Sequence, residues 1–319
     1  MATPVNLARM RQHIFSMLPT RRHDDGSFGP LMLRFAWHLC GTYDKQHNTG
    51  GSNGNTMRFA AEKADPENKG FGQAERFVDQ IEEAFPGVLS RADIQVFCGG
   101  LAIEHMGGPR MPFRYGRKDY TEAEALERYP ATGGCPFGDG KFNPHGSRLP
   151  AADLGPNPSC PHHNDPAMRE KPTIDAVRGT FRRMGFNDRE TVCLIVLGHQ
   201  FGRCHPDVSG YEHAWYTFDP THWNIYEHGL GYLSAYTMGR YQEQQSSAGK
   251  RQFNFYLGGG EPFMMLVSDM TLLWDEGFRK WLTFYDRKRR QFAEDAVAAW
   301  TKLTELGCEE GALFEPCYS

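Results

Sequence analysis

The chain has no apolar run approaching the roughly 20 residues needed to cross a bilayer. Its longest is Val192 to Leu197, so the sequence predicts no membrane segment. It also lacks an excess of one charge. In 319 residues, 35 Lys and Arg stand against 39 Asp and Glu, a net charge of −4 at pH 7, which leaves no electrostatic footprint for nucleic acid. Cysteine is scarce: eight thiols are too few for a disulfide scaffold, although an even number permits bridges whose pairing the spacing does not reveal. Cys40, Cys98 and Cys193 sit inside apolar helical patterns and read as buried thiols. Cys135, Cys160, Cys308 and Cys317 fall in loops or at the terminus, where an oxidising compartment would let them pair. No fixed-period repeat and no Ser- or Gln-rich linker divides the chain. The first 20 residues alternate apolar and polar positions and predict no signal peptide. The expected compartment is cytoplasmic or mitochondrial if residue 1 is the native start, and extracellular if a signal was removed.

What is present is the composition of a soluble globular protein, 39% apolar, 23% charged and 13% aromatic. The length allows one large domain or two coupled lobes. Apolar residues recur at helical spacing over Val5–Leu18, Leu31–Cys40, Ala74–Phe85 and Ile94–Met106, then over Ile174–Met184, Thr191–Cys204, Thr271–Phe284 and Phe292–Leu306. The fold class is therefore mostly α, with two helical lobes sharing one cleft. Asn187 with Glu190 three residues later predicts the start of the helix carrying His199, and Gly307 suits the end of the last helix. Strand signals are confined to Asn254–Leu257 and Phe263–Val267 around Gly258, Gly259 and Gly260, a small β-hairpin. Between Ala131 and Pro172, six Gly and eight Pro exclude helix and predict a long Gly/Pro-rich loop insertion.

Arg34, Trp37 and His38 share a helical pattern, and their i, i+3 and i, i+4 spacings put the three side chains on neighbouring faces. A base and a fixed positive charge held together there suit heterolysis of a peroxide O–O bond. On spacing alone, a core indole with a surface arginine explains the same residues. His199 lies in VLGHQFGRCH, where Val196, Leu197 and Phe201 supply an apolar wall and Gly198 and Gly202 leave room for a flat cofactor. Neutral imidazole is a common iron ligand, and a hydrogen-bonded core histidine is the alternative.

The stretch LMLRFAWHLCGTYDKQHNTGGSNGNTMRF, Leu31 to Phe59, resembles the distal-helix signature of the class I haem peroxidases, the group containing cytochrome c peroxidase and ascorbate peroxidase. The resemblance continues through DPENKGF from Asp65, GRKD from Gly116, LPAAD from Leu149, RMGFNDRE from Arg183 and LGHQFGRCHPDVSGYEHAW from Leu197. It resumes at MMLVSDMTLL from Met264 and spans nearly the whole chain except the insertion. It implies the two-lobed helical haem peroxidase fold as a single domain over 1–319, with a distal lobe of approximately 1–150 and a proximal lobe of approximately 173–319. The insertion resembles that of fungal hybrid-type members lying between the two best-known enzymes.

By this resemblance one haem b binds per chain, and hydrogen peroxide is reduced to water through a ferryl intermediate. His38 is implied as the distal acid/base, Arg34 as the cationic stabiliser, Trp37 as the indole above the haem and Asn68 as the partner orienting His38. His199 is implied as the proximal iron ligand, Asp269 as the carboxylate receiving its other N–H, and Trp215 as the proximal tryptophan and site of a radical. Arg203, His205 and Ser209 are implied near the haem propionates, with Met264 and Met265 as sulfur neighbours of Trp215. Val208 stands where ascorbate peroxidases place an arginine, and Gly26 near the position of their lysine, which argues against ascorbate. Gln200 and Tyr216 replace the threonines of a proximal potassium site. The expected donor is cytochrome c or a small phenolic or aromatic molecule. Cys160, His162 and His163, and the acids Asp24 and Asp25, have metal-compatible chemistry but read as solvated surface. The alternative functions are a haem enzyme dedicated to oxidising one metabolite and a non-catalytic haem-binding sensor.

Overall fold

The structure, a computed structural model, describes residues 3–128, 148–154, 165–216, 219–223, 225, 232–238 and 240–315. Most of the 131–172 insertion lies outside these residues, with Cys135, Cys160, His162, His163 and Cys317. The chain groups into two compact units, Met1–Leu149 with Val297–Ser319, and Pro150–Ala296. The expected distal lobe shares 1–149 with the first unit. The expected proximal lobe shares 173–296 with the second, while 297–319 groups with the first.

The first unit contains α1 (Pro4–Met17), α2 (Gly29–Cys40), α3 (Ala60–Lys63), α4 (Gly72–Ala84), α5 (Arg91–His105) and α6 (Glu122–Arg128). Its core is built on α5, buried from Ala92 through Ile103. The start of α5 is well satisfied: Ser90 Oγ accepts from the Asp93 N–H at 3.1 Å, and Asp119 accepts from the N–H groups of Arg91 and Ala92 at 2.7 and 3.0 Å. These bonds consume donors that a helix cannot satisfy by itself. Helix α2 packs on α5, and a Cβ at Gly99 would lie only 2.4 Å from the Ala36 Cβ. Glycine is what lets the two backbones approach. Buried Asp93 also pairs with Arg117 of the GRKD stretch at 2.8 Å, anchoring the loop after α5.

The second unit contains α7 (Pro166–Met184), α8 (Asp188–His199), β1 (Arg203–Cys204), β2 (His213–Ala214), α9 (Tyr232–Thr237), β3 (Gln242–Gln245), β4 (Arg251–Phe255), β5 (Phe263–Met265), α10 (Val267–Trp274) and α11 (Glu276–Arg287). The division between units falls within α12 (Arg289–Glu305). Helix α8 begins at the expected capping box: Asn187 Oδ1 accepts from the Glu190 N–H and Glu190 Oε2 accepts from the Asn187 N–H, each at 2.9 Å.

Four expectations need correction. The helix expected to run from Thr191 to Cys204 stops at His199, because the chain turns through Gly202 at φ +79° and enters β1. The expected Thr271–Phe284 helix is two helices. Asp275 between them is extended, and its carboxylate accepts from the Phe278 N–H at 3.1 Å, starting α11 afresh. The expected hairpin is β4 and β5 of a three-stranded antiparallel sheet in the order β3-β4-β5, with β4 in the centre. Strand β3, QEQQ, carries no apolar alternation to reveal it. Residues 166–172 of the insertion are helical, with Pro172 inside α7. Pro166 opens the helix, where a missing N–H costs nothing because the first-turn N–H groups lack intrahelical partners, whereas Pro172 in the second turn removes one i→i−4 bond without ending the helix, so Gly/Pro density was a poor guide at that end.

Candidate active site

Within the first unit, α2 presents Arg34, Trp37 and His38 on one side while Met32, Leu33, Phe35, Ala36, Leu39 and Cys40 are buried. His38 is itself only 7% exposed. Its Nδ1 lies 2.9 Å from Asn68 Oδ1, and Asn68 Nδ2 donates to the Glu62 carbonyl at 2.9 Å. That second bond fixes which end of the amide faces the imidazole. Asn68 Oδ1 therefore accepts, His38 Nδ1 carries the proton, and Nε2 keeps a lone pair. The turn bearing Asn68, Pro66–Asn68, is held by Asp65, whose carboxylate accepts from the Glu67 N–H at 2.9 Å.

Burial, and next the charge of Arg34, push the His38 pKa well below its ordinary 6.5, against the smaller opposing effect of the Asn68 bond. His38 is thus held as neutral base. The Arg34 guanidinium donates to the carbonyls of Glu67 and Lys69 at 2.7 and 3.1 Å and stacks 4.2 Å from the Phe71 ring centroid. Phe71 also meets His38 edge-on at 4.9 Å. Sequence reasoning missed Phe71 and Glu62. Glu62 is 2% exposed, and burial raises its carboxyl to about 7.

Within the second unit, the expected proximal residues converge on Asp269, a fully buried carboxylate in the first turn of α10. Its Oδ1 lies 2.6 Å from His199 Nδ1, and its Oδ2 accepts from Trp215 Nε1 at 2.7 Å and from the Leu266 N–H at 2.8 Å. The Trp215 ring stacks on His199 with centroids 4.7 Å apart and planes 24° apart. The short β1–β2 ladder, pairing Arg203 with Ala214, returns the chain so that Trp215 reaches this position. Tyr236 completes the group, its hydroxyl donating to Asp269 Oδ1 at 3.1 Å. No sequence signal marked it.

The other expected residues make contacts of their own. Arg203 Nη1 reaches Glu261 at 3.4 Å. His205 and Ser209 belong to one turn, in which the His205 carbonyl accepts from the Ser209 N–H at 2.9 Å. Met264 and Met265 are fully buried in β5. Tyr216 stacks on Phe263 at 5.5 Å, and Gln200 is buried with its Nε2 3.4 Å from the Leu197 carbonyl. Among the described residues, no group of three or more His, Cys, Asp or Glu side chains is placed to hold a bare metal ion.

The donor set fits a haem iron. Asp269 takes Nδ1 of His199, so Nε2 is the remaining ligand atom. The side chain is 33% exposed although the helix before it is buried, and beyond its chain neighbours and its own helix backbone no atom lies within 4 Å of a Cβ built at Gly198. A neutral, oriented imidazole on one element and a carboxylate-backed imidazole on another are the chemistry of a haem-dependent peroxidase.

Comparison with known proteins specifies this further. The chain matches the peroxidase family over residues 10–288 and belongs to it, within the class I haem peroxidases. It is 34% identical over 302 residues to a putative mitochondrial cytochrome c peroxidase of Yarrowia lipolytica, covering 95% of this chain and 90% of that protein. It is also 34% identical to a putative heme-binding peroxidase of Candida albicans, covering 95% and 88%. A mitochondrial cytochrome c peroxidase of Pyricularia oryzae is 35% identical over 285 residues, covering 89% of this chain and 66% of that one. The chain is an oxidoreductase with a haem cofactor.

Proposed function

We propose that this peroxidase reduces hydrogen peroxide with His38 and Arg34 as its distal machinery, His199 as iron ligand, and cytochrome c as electron donor, the last suggested by the names of two relatives. Haem iron, when bound, supplies the electrons that cleave the O–O bond. His38 Nε2 would take a proton from one peroxide oxygen and return it to the other, which would leave as water. Its lowered pKa keeps Nε2 unprotonated for this step, and the Asn68 bond holds the productive tautomer. Arg34 balances the negative charge that grows on the departing oxygen, and Trp37 walls the same face. Asp269 draws on the Nδ1 proton of His199 and makes the ring a stronger donor to the metal. Arg203, His205 and Ser209 are proposed to hold the haem propionates.

The observation that carries the choice of donor is the hydrogen bond from Trp215 Nε1 to Asp269 at 2.7 Å, with the indole stacked on His199. A carboxylate beside an indole stabilises positive charge on it, so Trp215 is suited to hold one oxidising equivalent until a protein donor fills it. Val208, in place of an arginine, supports a protein donor over ascorbate. Peroxide turnover with reduced cytochrome c, a simple phenol and ascorbate tests this. Trp215→Phe is expected to abolish most cytochrome c turnover while sparing much of the phenol rate. Equal losses with both donors would contradict the reading.

A further inference from the structure

Asp269 accepts four hydrogen bonds; His199 and Trp215 have proposed functions and the Leu266 N–H belongs to the start of α10, which leaves the fourth donor, Tyr236, unexplained. Tyr236 and Tyr232 lie one turn apart on α9, both fully buried, with ring centroids 5.1 Å apart and hydroxyl oxygens 3.1 Å apart. The single proton of Tyr236 goes to Asp269 Oδ1, so its oxygen is the acceptor for Tyr232. The competing acceptor for the Tyr232 proton is Met265 Sδ at 3.9 Å, a thioether and a weak one. The result is a relay from Tyr232 O–H to Tyr236 O–H to Asp269 Oδ1, in which each bond polarises the next.

A carboxylate oxygen has two lone-pair sites, and on Oδ1 they are taken by His199 and Tyr236. Oδ2 is filled by Trp215 and Leu266. Each added donor draws on the same anionic charge, so the donors on one oxygen share its accepting capacity. The phenol therefore competes directly with the imidazole for one oxygen. A phenylalanine would fill the same apolar space without a hydroxyl to satisfy, so packing alone does not account for a tyrosine there.

We infer that Tyr236 is a positioning residue that weakens the pull of Asp269 on the His199 proton, limits the imidazolate character of the iron ligand, and so raises the iron reduction potential above that of the same site without the phenol. Tyr232 reinforces the effect from behind. The inference rests on His199 as the iron ligand, as proposed above.

The test uses the haem-loaded protein and its Tyr236→Phe and Tyr232→Phe variants, with fold checked by circular dichroism. Two quantities are read: the ferric/ferrous reduction potential, and the iron–imidazole stretching band of the ferrous form by resonance Raman. Tyr236→Phe is expected to lower the potential and move the band to higher frequency. Tyr232→Phe, which keeps the Tyr236 hydroxyl but removes its polarising donor, should shift both in the same direction by less. Unchanged values, or shifts of opposite sign, would overturn the inference. If Tyr236→Phe fails to take up haem, the sign of the Tyr232→Phe shift decides. Absence of an iron–imidazole band in the unmodified protein would instead refute His199 as ligand, a failure distinct from an unmoved band.

Discussion

His38 and Glu62 are both buried and both titrate away from their ordinary ranges, but in ways with different consequences for pH. His38 has its pKa pushed down by burial and by Arg34, so its neutral form persists on acidification and is lost only well below 6.5. Peroxide activation is therefore expected to stay level from neutral pH to well below 6.5, and a fall centred near 6.5 would contradict the assignment. His38→Leu should slow activation by about 10²- to 10⁴-fold while haem stays bound, measured by stopped-flow absorption. Glu62 shifts the other way, from 4.5 to about 7. A carboxyl whose folded pKa lies above its unfolded value contributes stability below pH 4.5 that is lost as pH rises through 7. The shift corresponds to about 3 kcal/mol at most. Glu62→Gln should therefore raise the melting temperature at pH 8 and leave it nearly unchanged at pH 4, and an equal change at both would argue against a proton held there. Arg34, Trp37 and His38 were legible because helical spacing alone juxtaposes them. Phe71 and Tyr236 were not, because their contacts with Arg34 and Asp269 join residues far apart in sequence.

At the scale of elements, the local devices that position the site were the most readable. The Asn187/Glu190 box sets the start of α8 and, through an unbroken helix, the placement of His199 at its end. Asn187→Ala should cost about 1 kcal/mol, seen as a lower melting temperature. Helix ends set by backbone conformation were harder to read. Gly202 and Asp275 stop or divide apolar patterns that continue at helical spacing, so periodicity overran both. Strand β3 escaped because its four residues are polar and gain their structure from β4, not from their own pattern. The α2–α5 contact is a packing feature with its own test. Gly99→Val would place a side chain against Ala36 and Trp300, and overpacking of this kind costs about 1–3 kcal/mol. A melting temperature equal to that of the parent protein would show that the helices are not so closely apposed.

For the whole molecule, long ordered motif matches were worth more than any single constellation, since spacing alone favoured a structural explanation of each histidine over a catalytic one. Family membership over residues 10–288 and relatives covering 95% of the chain supply the peroxidase and its haem. The structure adds two internally consistent groups, one around His38 in the first unit and one around Asp269 in the second. The central claim is that the second group stores an oxidising equivalent on Trp215 for a protein donor. Rapid-freeze electron paramagnetic resonance after one equivalent of hydrogen peroxide, followed by reduced cytochrome c or ascorbate, tests it most directly. A tryptophan radical that is absent in Trp215→Phe and is discharged faster by cytochrome c than by ascorbate is the result expected. No tryptophan signal, or the same signal in Trp215→Phe, would contradict it.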